Sequence, residues 1–501
     1  MSVKHNVIAN YFGRGWSALM SFCFIPLYIY YLGIEAYGVV GFFVSMMAVL
    51  SFLEFGLGQT LVRESARCSD DGQDKNDLTD LIGTLEYIYW AIALLFIGVV
   101  WLVAEWLGLV WSQADTLPGK ELIHVIQIMG VVAGLSWTSG LYRSGLIGLQ
   151  EQVWLNIFGA SFATLRGLGV VSVLVWLSPS VQAFFIYQGL VSMIEVIWLR
   201  WKLWKMTSGK GLCLPAFHFN QLQRIWHFAG GVALNTLLGS GISQLDKLLL
   251  PGLISVEEFG YYMVANALGR SIKQLIFPVA TAYRPVFTKL VSEGKEKLLC
   301  QEYHKASQIM AVAIVPAALV LAFFSESILW LWTSNRDIVN ESAEIVSLLA
   351  LGTMLNGLVN IPYSIQLAYG ALRPAFYINL VAAILLVPSF LIGVQNFGVI
   401  AAAWVWFGLN LGYVVINVLI MHRKYLVNEA KAWYLKDIIP VILSTAVVAF
   451  LLSYIMPVYE SKWSIALEII FVVFLVTSSA LLSVGYLRRN VLTRLKLLIN
   501  E

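Results

Sequence analysis

The chain has 501 residues, of which 59% are hydrophobic and only 12% charged, with a mean hydropathy of +0.78 and a net charge of +3. Soluble domains carry about 25% charged residues, so this composition cannot clothe a water-facing surface and suits a lipid-facing one. The basic residues lie in short scattered clusters rather than one stripe, which excludes nucleic acid as a partner. The four cysteines offer no C-x-x-C spacing, so no metal site or cofactor is expected.

A helix that crosses a bilayer needs about 20 mostly apolar residues. Stretches meeting this test run over 7–31, 36–60, 81–107, 121–147, 153–177, 183–203, 225–251, 258–282, 306–331, 342–369, 375–393, 399–421, 437–456 and 464–487. They predict an all-α membrane protein of about 14 transmembrane helices. Lys4 precedes the first stretch, and no small-residue cleavage site follows, so it reads as a retained helix rather than a signal peptide.

Orientation follows from Lys and Arg. With both termini in the cytoplasm, the opposite side holds only Lys120, Arg336 and Lys462 of the 32 basic residues, and five lie within spans. Trp198, Trp201 and Trp204 gather at one inner end, where amphipathic rings settle among headgroups. The segment from Thr207 to Arg224, with Pro215, Phe217, Phe219 and Leu222, reads as a cytoplasmic linker carrying an interfacial helix.

An internal repeat divides the chain. Ile34-Glu35-Ala36-Tyr37-Gly38 opens the second span and Val256-Glu257-Glu258-Phe259-Gly260 opens the eighth. Trp154-Leu155-Asn156 and Tyr377-Ile378-Asn379 repeat at almost the same spacing, entering spans five and eleven. Six spans separate the copies, so the halves form a parallel pseudo-repeat with a substrate path between them. The expected domains are an N-lobe over 1–205 (helices 1–6), a linker over 206–224, a C-lobe over 225–425 (helices 7–12), and two extra helices with a cytoplasmic tail over 426–501.

Charges inside hydrocarbon cost about 2.5–3.5 kcal/mol each on insertion scales, so they face a cavity or each other. Arg270 and Lys273 lie three residues apart on span eight, with Asn266 and Gln274 on the same face; Asp246 is the one obvious acid of this half, beside Lys247. This half is net positive at depth, as a wall receiving a phosphate group would be. The competing reading pairs Lys247 or Lys273 with Asp246 and lets the rest snorkel. In the first half the embedded bases are Arg14 and Arg166 and the embedded acids Glu54, Glu86 and Glu195. Glu54 or Glu86, like Asp246, could carry a coupling ion; equally, Arg14 could neutralise one of the acids as a structural pair. Arg63 and Arg143, near the inner mouth, could attract an anion or serve as topology determinants. Gly130-x-x-x-Gly134 and Gly408-x-x-x-Gly412 read as helix-packing faces.

Taken together, Asn10-Tyr11-Phe12-Gly13, Tyr31-Leu32-Gly33 through Tyr37-Gly38 and Glu54-Phe55-Gly56-Leu57 resemble the opening of Wzx-type polysaccharide flippases. Gln244-Leu245-Asp246-Lys247 followed by Phe259-Gly260-Tyr261-Tyr262 resembles the start of their second lobe. The resemblance covers essentially the whole chain and implies membership of the multidrug/oligosaccharidyl-lipid/polysaccharide exporter superfamily. It implies two six-helix lobes around a central lumen in a bacterial inner membrane, with two C-terminal helices added. The implied activity is translocation of an undecaprenyl-pyrophosphate-linked oligosaccharide, O-antigen or a related unit, from the cytoplasmic to the periplasmic leaflet by alternating access. It further implies lumen cations for the pyrophosphate, H+ or Na+ coupling, and a polysaccharide polymerase and chain-length regulator as protein partners. Membrane lipids surround it. A cation-coupled multidrug exporter of the same superfamily is the nearest alternative. A polymerase or ligase is the enzyme alternative, disfavoured by short outer loops and by the lack of a D-x-D on an inner loop.

Overall fold

The computed structural model describes residues 3–54, 56–71, 75–110, 119–209, 216–221, 223, 239, 241–370, 372–456 and 461–485. It is all-helical among these residues, and twelve of the described helices are long and apolar enough to cross a membrane. A helix satisfies its own backbone polar groups, which is the condition for sitting in hydrocarbon.

The chain divides into two compact units, Met1–Gly260 and Tyr261–Glu501. The first contains α1 (Val3–Leu32), α2 (Ile34–Phe52), α3 (Leu57–Asp71), α4 (Lys75–Val110), α5 (Gly119–Gly148), α6 (Gln152–Trp176) and α7 (Val181–Ser208). A helical stretch over 241–249 and a short turn Leu250–Gly252 lead into α8 (Val256–Gly269), which carries the unit boundary. Gly33, at φ 87°, separates α1 from α2; a Cβ there would be strained, and glycine lets the chain reverse without it. Ser180 caps α7 by accepting the Ala183 N–H at 3.2 Å.

The second unit contains α9 (Lys273–Ser292), α10 (Glu296–Phe323), α11 (Ser325–Thr333), α12 (Arg336–Ala368), α13 (Leu372–Phe397), α14 (Ile400–Lys424), α15 (Ala430–Ile455) and α16 (Lys462–Ser483). Asn335 Oδ1 caps α12, accepting from the N–H groups of Asp337 at 2.8 Å and Ile338 at 3.2 Å. Each unit has its own apolar core. One is centred on residues such as Leu81, Tyr89, Met129 and Phe185, the other on Phe287, Tyr303, Met310 and Trp433.

Twelve of the expected spans correspond to long helices, although span two stops at Phe52 rather than 60 and span nine at Phe323 rather than 331. Span seven lies largely outside the described residues. Span eight is not one helix: it stops at Gly269 and restarts at Lys273. Across the interruption the N–H groups of Ser271, Lys273, Gln274 and Leu275 reach back three residues, to Leu268, Arg270, Ser271 and Ile272. The tighter turn keeps the backbone bonded while changing the helix's winding.

Two packing expectations met different fates. A Cβ on Gly130 would lie 2.8 Å from Val100, and one on Gly134 3.0 Å from Ile97, so this face does pack against α4. Gly408 and Gly412 face open space instead. They line an apolar groove of about 560 Å³ between α13 and α14, so the helix-packing reading is wrong for this pair. Of Trp198, Trp201 and Trp204, the first two are exposed and Trp204 is buried.

The two copies of the repeat opening meet within the first unit. A Cβ on Gly38 would fall 2.2 Å from the Val256 carbonyl oxygen, and one on Gly260 2.4 Å from the Ile34 carbonyl oxygen. The helix starts therefore touch backbone to backbone, each through its own glycine.

Candidate functional site

Three polar clusters occupy the first unit. Glu195 on α7 is buried between two guanidinium groups: Arg143 of α5 bonds Oε1, and Arg166 Nη2 of α6 bonds Oε2 at 2.8 Å. Arg166 also donates to Gln188 Oε1 at 2.7 Å and Ser192 Oγ at 2.9 Å. The second cation leaves this cluster with a net positive charge, and 35% of the Arg143 side chain is still open.

Glu86 of α4 accepts from Arg200 Nε at 2.6 Å and from the Trp204 indole N–H at 2.9 Å, both on α7. With its cation bonded and both oxygens occupied, it is a fixed carboxylate joining α4 to α7. Trp204 is buried because it serves this bond rather than the headgroup region.

Glu54 sits in the turn between α2 and α3, half-buried, with the Tyr89 hydroxyl 3.4 Å from Oε1. A Cβ on Gly58 would come within 2.2 Å of that same oxygen, so glycine at 58 makes room for the carboxylate. Among the described residues no Lys or Arg forms an ion pair with Glu54. Arg63 on α3 is exposed. The Arg14 side chain lies outside the described residues, and so does its expected pairing. The linker segment 216–221 rests on α4, where Thr84 Oγ1 accepts the His218 N–H at 3.0 Å. Asp246 and Lys247 are both buried, and Lys247 Nζ donates to Gln244 Oε1 at 2.6 Å.

In the second unit the break in span eight brings Arg270 and Lys273 onto one aromatic ring. The Arg270 guanidinium lies 4.3 Å and the Lys273 ammonium 5.0 Å from the centre of the Trp406 indole on α14. Gly352 on α12 sets the indole's position, since a Cβ there would lie 2.5 Å from Trp406 Cδ1. The ring quadrupole attracts both cations and offsets part of their mutual repulsion. The two positive groups thus sit within one helical turn of each other, over one ring. Sequence reasoning found the two cations and missed Trp406, which shares no periodicity with them. Asn356 Nδ2 donates to Asn410 Oδ1 at 2.8 Å, and Gln366 Nε2 to Asn417 Oδ1 at 2.8 Å, closing a polar seam between α12 and α14.

The profile of the polysaccharide biosynthesis protein family matches residues 3–291. The chain belongs to this family. A second profile, MatE, matches residues 232–391. Among solved structures, the lipid II flippase MurJ in an inward closed conformation shares 12% identity at a TM-score of 0.70, covering 96% of this chain and 98% of that one. An inward-facing multidrug resistance MATE family transporter of the MOP superfamily shares 14% identity at a TM-score of 0.64, covering 81% of this chain and 96% of that one. The MATE multidrug transporter DinF-BH shares 15% identity at a TM-score of 0.61, covering 85% and 96%. No protein of curated function matched the chain. At these identities the structural likeness establishes the fold. With the family match and the helices above, the polysaccharide biosynthesis family member is a multi-pass membrane flippase or transporter of the multidrug/oligosaccharidyl-lipid/polysaccharide exporter superfamily.

Proposed function

We propose that this family member moves an undecaprenyl-pyrophosphate-linked oligosaccharide, an O-antigen or related unit, from the cytoplasmic to the periplasmic leaflet of a bacterial inner membrane. Both termini are cytoplasmic in this reading, and lobes over 1–205 and 225–425 alternate in access. The observation that carries it is the pair Arg270 and Lys273 at the interrupted helix, both over Trp406. Pyrophosphate is the part of such a substrate common to every sugar unit, and a two-cation platform answers it. Arg143 and Arg166, in excess over Glu195, supply a second positive locus, with Lys247, Arg14 and Arg63 as further contributors. The polysaccharide polymerase and chain-length regulator are the proposed partners.

Coupling to H+ or Na+ is proposed at Glu54, the half-buried acid with a hydroxyl and no bonded cation among the described residues; Asp246 is the second position. Glu86, with both oxygens engaged, is the least suited of the three.

The test is to make Arg270→Ala and Lys273→Ala, verify equal membrane levels, and measure surface polysaccharide and lipid-linked oligosaccharide flipping in vesicles. Both variants should export less. Unchanged export in both removes the phosphate assignment. The match over 232–391 to the MatE profile supports a second reading, a cation-coupled drug exporter. That reading predicts gradient-dependent efflux of cationic dyes by the wild type and no accumulation of unflipped lipid-linked sugar when the gene is lost.

A further inference from the structure

A set of ionisable side chains in the second unit takes no part in the account above. His304 of α10 has both ring nitrogens against carboxylates: Nδ1 lies 2.5 Å from Asp437 Oδ2, and Nε2 lies 3.0 Å from Glu429 Oε2. Asp437, two turns into α15, is 1% exposed, and its other oxygen accepts from Gln308 Nε2 at 2.7 Å. Gln308 donates to one Asp437 oxygen, and the other oxygen faces His304 Nδ1.

A neutral imidazole has one N–H and one lone pair. Against two carboxylates it satisfies one contact and sets a lone pair against an oxygen lone pair at the other. Closing both contacts takes one proton more than neutral His304 and two carboxylates contain. Its place is the imidazole, as imidazolium donating at both nitrogens; the cluster's charge then falls from two negative to one negative.

We propose that His304, Asp437 and Glu429 form a proton-binding site that fastens α15 to α10. The other groups around it are accounted for. His422, at the end of α14, faces Tyr303: its Nδ1 donates to the Val418 carbonyl at 2.8 Å, and its Nε2 lies 3.0 Å from the Tyr303 hydroxyl. Trp433 donates to Ser307 Oγ at 3.2 Å and Tyr434 to the Val414 carbonyl at 2.6 Å. Cys300 of α10 lies within electrostatic reach of both Glu429 and Glu296. Among the described residues no three His, Cys, Asp or Glu side chains are arranged to hold a metal ion.

This site goes beyond the transport reading and is tested without it. The full chain in detergent, labelled with 15N-histidine, is titrated by NMR, with His304 assigned by its loss in His304→Gln. His304 should stay doubly protonated to a higher pH in the wild type than in Glu429→Gln, whose His304 midpoint should lie about one pH unit lower. The thermal midpoint of the wild type should carry a stabilisation present at low pH and lost as pH rises through the His304 midpoint, reduced in Glu429→Gln and absent in His304→Gln. A His304 midpoint unmoved by Glu429→Gln, or a wild-type thermal midpoint with no pH dependence lost in His304→Gln, overturns the proposal. If His304→Gln fails to fold, Glu429→Gln alone decides it: its resonances, compared with wild type, identify the histidine whose midpoint moves, and none moving refutes the site.

Discussion

Trp406→Leu removes the ring beneath two cations, which stand 4.3 and 5.0 Å from its centre. A cation–π contact is worth about 0.5–1 kcal/mol when exposed and about 2 kcal/mol when desolvated. Arg270 and Lys273 are half-buried, so the two contacts together amount to about 1–3 kcal/mol. The single variant also loses packing, because truncating a buried Trp to Ala costs about 3–5 kcal/mol and Leu restores only part of the volume. A double-mutant cycle of Trp406→Leu with Arg270→Gln separates the two effects. The coupling energy should be about 1 kcal/mol, roughly a fivefold change in the unfolding equilibrium. It is read by far-UV circular dichroism during unfolding in mixed micelles. Trp406→Phe keeps a π face and should retain most of the coupling. Additivity within about 0.3 kcal/mol for both Arg270 and Lys273 would refute the platform and leave the indole as ordinary packing.

Glu195→Gln leaves Arg143 and Arg166 facing each other without their acid, and should cost about 3–5 kcal/mol in the same unfolding assay. Replacing Arg143 by Met in that background should recover part of the loss. Gly38→Ala and Gly260→Ala each force a methyl group onto a backbone oxygen, which calls for a loss of about 1–3 kcal/mol apiece. The double variant should be less than additive, because the first substitution already separates the helices that the second would strain.

The helices were legible because the bilayer imposes a length and an apolar content that any window of sequence records. Twelve spans follow from that alone. The interruption at Arg270–Ile272 left no such trace, since hydropathy is blind to whether an N–H reaches back three residues or four. The glycine repeat was legible as a pattern, but its meaning was not: two matched pentapeptides say that two helices start alike, not that they start against each other. Embedded charges could be counted from the chain, and the excess of bases in the second half was visible at Arg270, Lys273 and Lys247. Their partners were not, because Arg143 and Arg166 choose Glu195, and Arg200 chooses Glu86, across helices whose rotation is set by packing. Gly408 and Gly412 had the spacing of a contact face but line a groove, since the motif specifies small residues and not what lies opposite. His304 was overlooked although its signal existed: Gln308 lies one turn on along the same face, and Asp437 opens an apolar span where an acid needs a partner.

The crossing of Gly38 and Gly260 ties together two positions that are far apart in the chain. Because peptide meets peptide with no side chain between them, neither position can acquire even a methyl group by itself, and no enlargement at one can be absorbed by trimming the other, which has nothing left to lose. Such a joint tolerates change only by shifting whole helices, so the pair marks where these two helix starts have the least freedom to vary.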